Sequence, residues 1–324
     1  MSNGHHAEVV CINQNLVAKI PDHVTYDEAA FTVIGAIGLQ GIRLINPTFG
    51  ETIVVTGLGL IGLITSQLLL ANGCRVIGLD FDQSKVELAR SFGIEAYNVS
   101  DGRSPVTLIE SLTDYIGADG VLITASTKSN DVIAQSAGMC RKKGRIVLVG
   151  VVGLDINRSD FFKKELSFQV SCSYGPGRYD DNYEEKGHDY PIGYVRWTEK
   201  RNFEAVLNAL ARKKLEVLPL ITERIHLDDY LQIYGNMSNP KSIASIITYD
   251  VKKSDTLNTQ VVINGANFAG QKGVFGVIGA GNFTGSTVLP MLSKAGGKVK
   301  TIASSKGLSG TILAKKFNIA QSST

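Results

Sequence analysis

One short stretch constrains this chain more than any other. Ile53 to Thr56 is a short apolar run, as a parallel strand covered on both faces requires. Gly57-Leu58-Gly59-Leu60-Ile61-Gly62 follows at once, and Ile61, Ile64, Leu68 and Ala71 then fall on one helical face. Gly73 is a terminator, Arg75 to Leu79 is the next strand, and Asp80 stands at its end, 18 residues after Gly62. Gly57 permits a tight turn, Gly59 lets the backbone approach a pyrophosphate, and Gly62 lets helix pack closely on strand. The free N–H groups at the start of that helix, around Leu60 and Ile61, attract phosphate together with the helix dipole. Asp80 is placed to accept hydrogen bonds from ribose hydroxyls and to repel a 2′-phosphate, so NAD is expected over NADP.

The alternation continues. Ser84 and Glu87 read as a capping box opening a helix to about Phe92, and Ser104-Pro105 opens another with proline in its first turn. Val121 to Thr124 and Ile146 to Val149 read as buried strands, with Asp131 to Met139 as the helix between them and Leu166 to Ser173 as a last strand. This order predicts an α/β Rossmann fold, a doubly wound parallel sheet with right-handed crossovers. Thr124, Ala125, Ser126, Gly150 and Val151 then lie at the carboxyl ends of strands, where such sheets bind ligands, and are further cofactor candidates. Upstream, residues 7–20 read as short strands around an Asn-rich turn, Thr25 and Glu28 form a capping box, and a helix follows from Ala29 to Leu44. Gly35, Gly38 and Gly41 fall inside it and predict close packing or a break. Downstream, Thr198 to Lys213 and Asp228 to Met237 read as helices and Ile243 to Thr248 as a strand. Residues 251–272 read as a linker, after which strand Val274 to Ile278, a Gly279-x-Gly281 turn, helix Ser286 to Ala295, strand Val299 to Ala303 and helix Leu308 to Phe317 start a second unit.

Composition removes several classes of function. A net charge of +3 without a long basic run gives no electrostatic case for nucleic acid. No run of about 18 apolar residues is present to cross a bilayer, and the N-terminus lacks a signal-peptide pattern. Four scattered cysteines with no C-x-x-C spacing support neither a disulfide framework nor a zinc knuckle, so a reducing, cytoplasmic setting is expected.

Asn15 to Asp22, Asp27-Glu28-Ala29-Ala30, the loop 57–62 and Leu79-Asp80, in that order, resemble the medium-chain dehydrogenase/reductase superfamily, the zinc-type alcohol dehydrogenases. The resemblance covers residues 7–250 and implies a Rossmann domain with part of a chaperonin-10-like catalytic domain. It implies the boundaries 1–24 for a remnant of that β region, 25–250 for the NAD-binding domain and its return segment, 251–272 for the linker, and 273–324 for an incomplete second nucleotide-binding domain. Gly276 to Gly285 followed by Leu289-Pro290 resembles the start of the glucose–fructose oxidoreductase / inositol dehydrogenase family, with Thr284 where a third small residue usually falls. Ala303-Ser304-Ser305-Lys306 carries no acid, which leaves NADP open at that site. The pairing resembles two-domain oxidoreductases of bacterial polysaccharide biosynthesis, and implies a chain truncated at both ends. In the zinc-type family two catalytic-zinc ligands would fall before Met1, and the third position aligns near Gly35, so no zinc is expected. His5 and His6, adjacent in sequence, read as a solvated chain end.

Residues 174–197 hold five of the eleven tyrosines and the only tryptophan. Long aromatic loops are often functional, and rings beside Arg and Asp suit a sugar. Tyr174, Arg178, Tyr179, His188, Tyr190 and Arg196 are the substrate candidates, while no catalytic acid is assigned. Packing against a further domain or subunit remains an equal explanation for these rings. The expected function is hydride transfer between NAD(H) and an alcohol or carbonyl of a small, sugar-like substrate. The alternative is a non-catalytic NAD-binding module of a larger oxidoreductase. A zinc-free quinone or enoyl reductase is disfavoured by Asp80. Exposed apolar surface leaves a homodimer open.

Overall fold

The computed structural model describes residues 9–235, 242–249, 260–266, 268, 273–305 and 307–324. His5, His6, Met237 and Lys306 lie outside the described residues. The chain divides into two compact units, 1–249 and 250–324.

The first unit begins with two helices, α1 (Tyr26–Ala29) and α2 (Thr32–Ile45). Six strands and the helices between them follow: β1 (Thr52–Thr56), α3 (Leu60–Ala71), β2 (Arg75–Asp80), α4 (Gln83–Ser91), β3 (Glu95–Asn98), α5 (Pro105–Leu112), β4 (Ala118–Ile123), α6 (Asp131–Met139), β5 (Cys140–Leu148), α7 (Arg158–Phe162) and β6 (Ser167–Val170). The six strands form one parallel sheet in the order β3-β2-β1-β4-β5-β6. That order reverses direction between β1 and β4, the point where doubly wound sheets bind ligands. Ile53, Val54 and Val55 in β1 are fully buried, as are Val121 to Ile123 in β4, because helices cover both faces of the sheet. The remainder of the unit is α8 (Asp181–Glu184), α9 (Glu199–Ala211), β7 (Ile221–His226), α10 (Leu231–Tyr234) and β8 (Ala244–Thr248), with β7 and β8 paired in parallel.

Local chemistry sets the helix ends. Thr25 and Glu28 form the expected capping box, with Glu28 N–H donating to Thr25 Oγ1 at 3.2 Å and Thr25 N–H to Glu28 Oε2 at 2.8 Å. The Ser84–Glu87 box does not form. Asp82 is the N-cap of α4 instead, accepting from Ser84 N–H at 2.9 Å, so the helix starts two residues earlier and Ser84 falls inside its first turn. The strands expected within 7–20 are absent among residues 9–20, where Asn13 accepts from Asn15 N–H and winds Gln14–Leu16 into a 3-10 turn. The helix expected from 228 is split into a 3-10 turn, Leu227–Asp229, and the short α10.

Helix α2 runs unbroken through its glycines because each makes room for a neighbour. A Cβ at Gly35 would lie 2.8 Å from Val206 of α9, at Gly38 2.3 Å from Thr65 of α3, and at Gly41 2.5 Å from Val149 after β5.

In the second unit β9 (Gln260–Val262), β10 (Val274–Ile278), α11 (Leu289–Lys294), β11 (Lys298–Ala303), α12 (Leu308–Lys316) and β12 (Gln321–Ser323) form a four-stranded sheet in the order β10-β11-β12-β9, with only β9 antiparallel. β9 arises inside the stretch read as a linker, and β12 after the last element read from the sequence. The two pair with each other and close a small core of Leu289, Ile302, Ala314 and Ile319.

Candidate functional site

The turn after β1 is built as its glycines require. Gly57 has φ +95°, a left-handed conformation costly for other residues. Its N–H donates to Leu79 O at 2.8 Å, and Thr124 Oγ1 donates to its carbonyl at 2.6 Å. Gly59 is the N-cap of α3, and a Cβ there would meet nothing within 4 Å. At Gly62 a Cβ would come within 1.9 Å of Gly57 O, so helix and loop touch there only through glycine. Asp80 backs the loop directly. Its Oδ2 accepts the Leu58 N–H at 2.6 Å and its Oδ1 the Asp82 N–H at 2.8 Å.

These residues face a cleft of about 640 Å3 at the carboxyl edge of the sheet. Gly57, Gly59, Asp80, Thr124, Ala125 and Ser126 all line it. Leu60, Ile61 and Gly62 form the first turn of α3 behind them, where helix N–H groups have no intrahelical acceptor. Gly150 and Val151 are not in the lining. Gly150 packs against the Ala125 carbonyl, and Val151 bridges to Ser126. Phe81 and Lys85 also line the cleft and were missed in the sequence. An apolar ring, 73% exposed, directly after the strand-ending acid is the signal that would have marked them.

The cleft fits a dinucleotide. The open space beside Gly59 is what a pyrophosphate needs, the α3 N-terminus faces it, and Asp80 stands at the end of β2. Among the described residues no tyrosine or histidine lines it, and the titratable groups in its lining are Asp80, Lys85 and Asp131.

The six residues proposed from the aromatic loop do not all share one site: Arg178 lies against the Tyr174 and Tyr179 rings, while Tyr190 is engaged by Asp180 and Tyr183. Tyr174 is unavailable to a ligand, since its ring is fully buried against Phe203 with centroids 5.4 Å apart. Arg178 pairs with Glu184 at 2.7 Å and lies 4.1 Å over the Tyr179 ring. Tyr190 donates its hydroxyl to Asp180 and stacks on Tyr183 at 5.4 Å. That hydrogen bond, with burial, pushes Tyr190 up to about 12. His188 and Arg196 are exposed. Beneath the loop Glu199 is fully buried and neither carboxylate oxygen has a hydrogen-bond partner. Burial, and after it the charge of Glu184, raises its pKa to about 7.

In the second unit Gly279 repeats the geometry of Gly57, with φ +94° and its N–H donating to Ala303 O at 2.8 Å. Thr284 stands where Gly62 stands in the first loop and donates its hydroxyl to Gly279 O at 2.8 Å. The helix there opens with a π-helical turn, Thr284–Val288. Gly281 lines a separate cleft of about 380 Å3 with Asn282, Ser309 and Lys316.

Residues 61–186 match the family described as zinc-binding dehydrogenase. The chain is 26% identical over 232 residues to D-xylulose reductase of Saccharomyces cerevisiae, covering 70% of this chain and 58% of that protein. It is 26% identical over 252 residues to a sorbitol dehydrogenase of Halalkalibacterium halodurans, covering 76% and 66%. The solved structure of 2R,3R-butanediol dehydrogenase from Bacillus subtilis superposes with a TM-score of 0.58 at 22% identity, over 71% of this chain and 60% of that one. Galactitol-1-phosphate dehydrogenase from Escherichia coli gives 0.59 at 20% identity, over 74% and 67%. These likenesses establish the α/β Rossmann fold. The chain spans less than two thirds of the length of these two curated relatives. The family's zinc-binding description corrects the expectation that no zinc is involved. Among the described residues no three His, Cys, Asp or Glu side chains are grouped to hold a metal. No described helix is long and apolar enough to cross a membrane.

Proposed function

We propose that the first unit binds NAD(H) in the cleft at the β1–β4 switch point and serves hydride transfer to or from an alcohol or carbonyl of a small polyol-like substrate. The observation that carries this reading is the paired placement of Gly59, open to the cleft, and Asp80, held to the glycine loop through Leu58 N–H. The relatives' names, D-xylulose reductase and sorbitol dehydrogenase, support the substrate class.

The chain's residues bind and orient. The α3 N-terminus and the Gly59 backbone hold the pyrophosphate. Asp80 accepts from the ribose hydroxyls and disfavours a 2′-phosphate. Phe81 and Val99 give an apolar wall for a base. When bound, the nicotinamide supplies or accepts the hydride. Thr124, by tying the Gly57 carbonyl, keeps the glycine loop in place.

A narrower reading is that the unit supplies the nucleotide-binding half: among the described residues no tyrosine or histidine lines the cleft, whose titratable groups are Asp80, Lys85 and Asp131. The second unit, with its parallel strand–helix–strand start and left-handed Gly279, supports the likeness to two-domain oxidoreductases and, through it, a sugar-like substrate.

Titration with NADH and separately with NADPH, followed by nicotinamide fluorescence, tests the reading. NADH is expected to bind tighter, and Asp80→Asn to erase the preference. Equal binding of both cofactors by the native chain would overturn the role given to Asp80.

A further inference from the structure

Two arginines rest on the indole of Trp197. The guanidinium carbon of Arg43 lies 3.4 Å from a ring centroid and that of Arg196 3.8 Å. Arg43 belongs to α2 and Arg196 to the end of the aromatic loop, so folding brings two distant cations to one ring. Cation–π attraction accounts for either arginine alone. It leaves unexplained why two like charges share the ring, since they repel.

No carboxylate pairs with either arginine among the described residues. Arg178 and Arg201 nearby are committed to Glu184 and Asp189. Lys200 donates to Gln14 O. Arg43 uses only its Nε–H, which donates to Asn202 Oδ1 at 2.7 Å. Its terminal nitrogens and all of the exposed Arg196 guanidinium lack a protein acceptor among the described residues. Burial lowers the Arg43 pKa to about 10, and the Arg196 charge acts in the same direction. Glu199, two residues past Trp197, is fully buried with both carboxylate oxygens unpartnered and does not pair with them. Arg43 is half-buried and Arg196 exposed, and an oxyanion reaching both guanidiniums would offset their repulsion through charge-assisted, fork-shaped hydrogen bonds. None of the three residues lines the nucleotide cleft.

We propose that Arg43, Arg196 and Trp197 form an oxyanion site, separate from the nucleotide cleft, that takes a phosphate group, either free phosphate or the phosphomonoester of a small polyol.

Trp197 is the only tryptophan, so its emission reports on this site alone. The intact chain is titrated with inorganic phosphate, a hexitol phosphate and the unphosphorylated hexitol, with ionic strength held constant by sodium chloride. A saturable emission change is expected with the phosphate-bearing probes and none with the hexitol. Half-saturation is expected to move by about tenfold or more in Arg196→Gln, the loss of one charge-assisted partner. Arg43→Lys, which keeps the charge and removes the fork, is expected to weaken binding less than Arg43→Gln. Tighter binding of the hexitol phosphate than of phosphate identifies a phosphorylated metabolite, and equal binding identifies the free ion. No saturable response to either phosphate probe, or a response unchanged in Arg196→Gln, overturns the site. Arg196 is exposed, so that variant reads binding and not folding, and the outcome is independent of the NADH titration.

Discussion

Gly59 and Gly62 lie three residues apart in one loop, and a methyl group added to each meets opposite surroundings. At Gly62 it would sit 1.9 Å from Gly57 O and 2.8 Å from Thr124 Oγ1, two atoms joined by their own hydrogen bond. Neither is the end of a flexible side chain, so α3 has to move away from the turn. Overpacking of this kind costs about 1–3 kcal/mol, and contact with backbone places it toward the top of that range. Helix propensity returns up to about 1 kcal/mol. Gly62→Ala is therefore expected to lose about 2 kcal/mol of stability in urea unfolding. At Gly59 the methyl meets nothing within 4 Å, and φ −68°, ψ −171° suits any residue. A poorer N-cap costs at most about 1 kcal/mol, and a more restricted unfolded chain returns about 0.4–1 kcal/mol. Gly59→Ala should unfold within about 0.5 kcal/mol of the native chain, by the same figures. The same methyl fills the space assigned to the pyrophosphate, so NADH affinity should fall at least about tenfold, the effect of roughly 1.4 kcal/mol. A Gly59→Ala protein that binds NADH as the native chain does would refute the placement of the pyrophosphate. A Gly62→Ala protein of native stability would refute the packing argument.

Glu199 carries a pH prediction. Its folded pKa of about 7 stands above the ordinary carboxyl value, so the stability it contributes is complete below the unfolded pKa and is lost as pH rises through about 7. Comparing pH 5 with pH 8 by thermal unfolding, Glu199→Gln should gain on the native chain by up to about 3 kcal/mol at the higher pH. An identical pH profile in the variant would show that the carboxyl is not held neutral. For the thiols, Cys11 and Cys172 are exposed while Cys74 and Cys140 are buried, and burial pushes Cys140 up to about 12. An aromatic disulfide reagent at pH 8 should modify two thiols quickly and two only on unfolding. Four fast thiols would contradict the burial of the core.

The parts that were readable in the sequence are those fixed by neighbours in the chain. The turn at Gly57, the capping box at Thr25 and the helix Asp131–Met139 all depend on contacts a few residues long, and each forms as expected. Asp82 displaced Ser84 as the cap because either residue type can start a helix, and the fold places the boundary at Asp82 with Ser84 in the first turn. β3 is four residues with no clear alternation, β9 is only Gln260-Val261-Val262, and β12 is polar. Their strand character comes from pairing with partners far along the chain, which no local pattern reports. At the cleft, the place of Asp80 at the end of β2 was legible from the strand spacing. The fate of the aromatic loop was not, because Tyr174 and Tyr190 look alike as letters. One is sealed against Phe203 and the other bound to Asp180, by contacts that exist only after folding.

The glycines of α2 have a consequence for how this chain tolerates change. Gly35, Gly38 and Gly41 abut three different elements, so the helix is seated in a socket with three walls. Rolling or shifting it to relieve a larger side chain at one position presses it into another wall. Drift at any of these positions therefore requires a matching retreat at Val206, Thr65 or Val149, and each retreat is independent of the other two. Any variant that enlarges one glycine should be rescued only by trimming the one residue it faces.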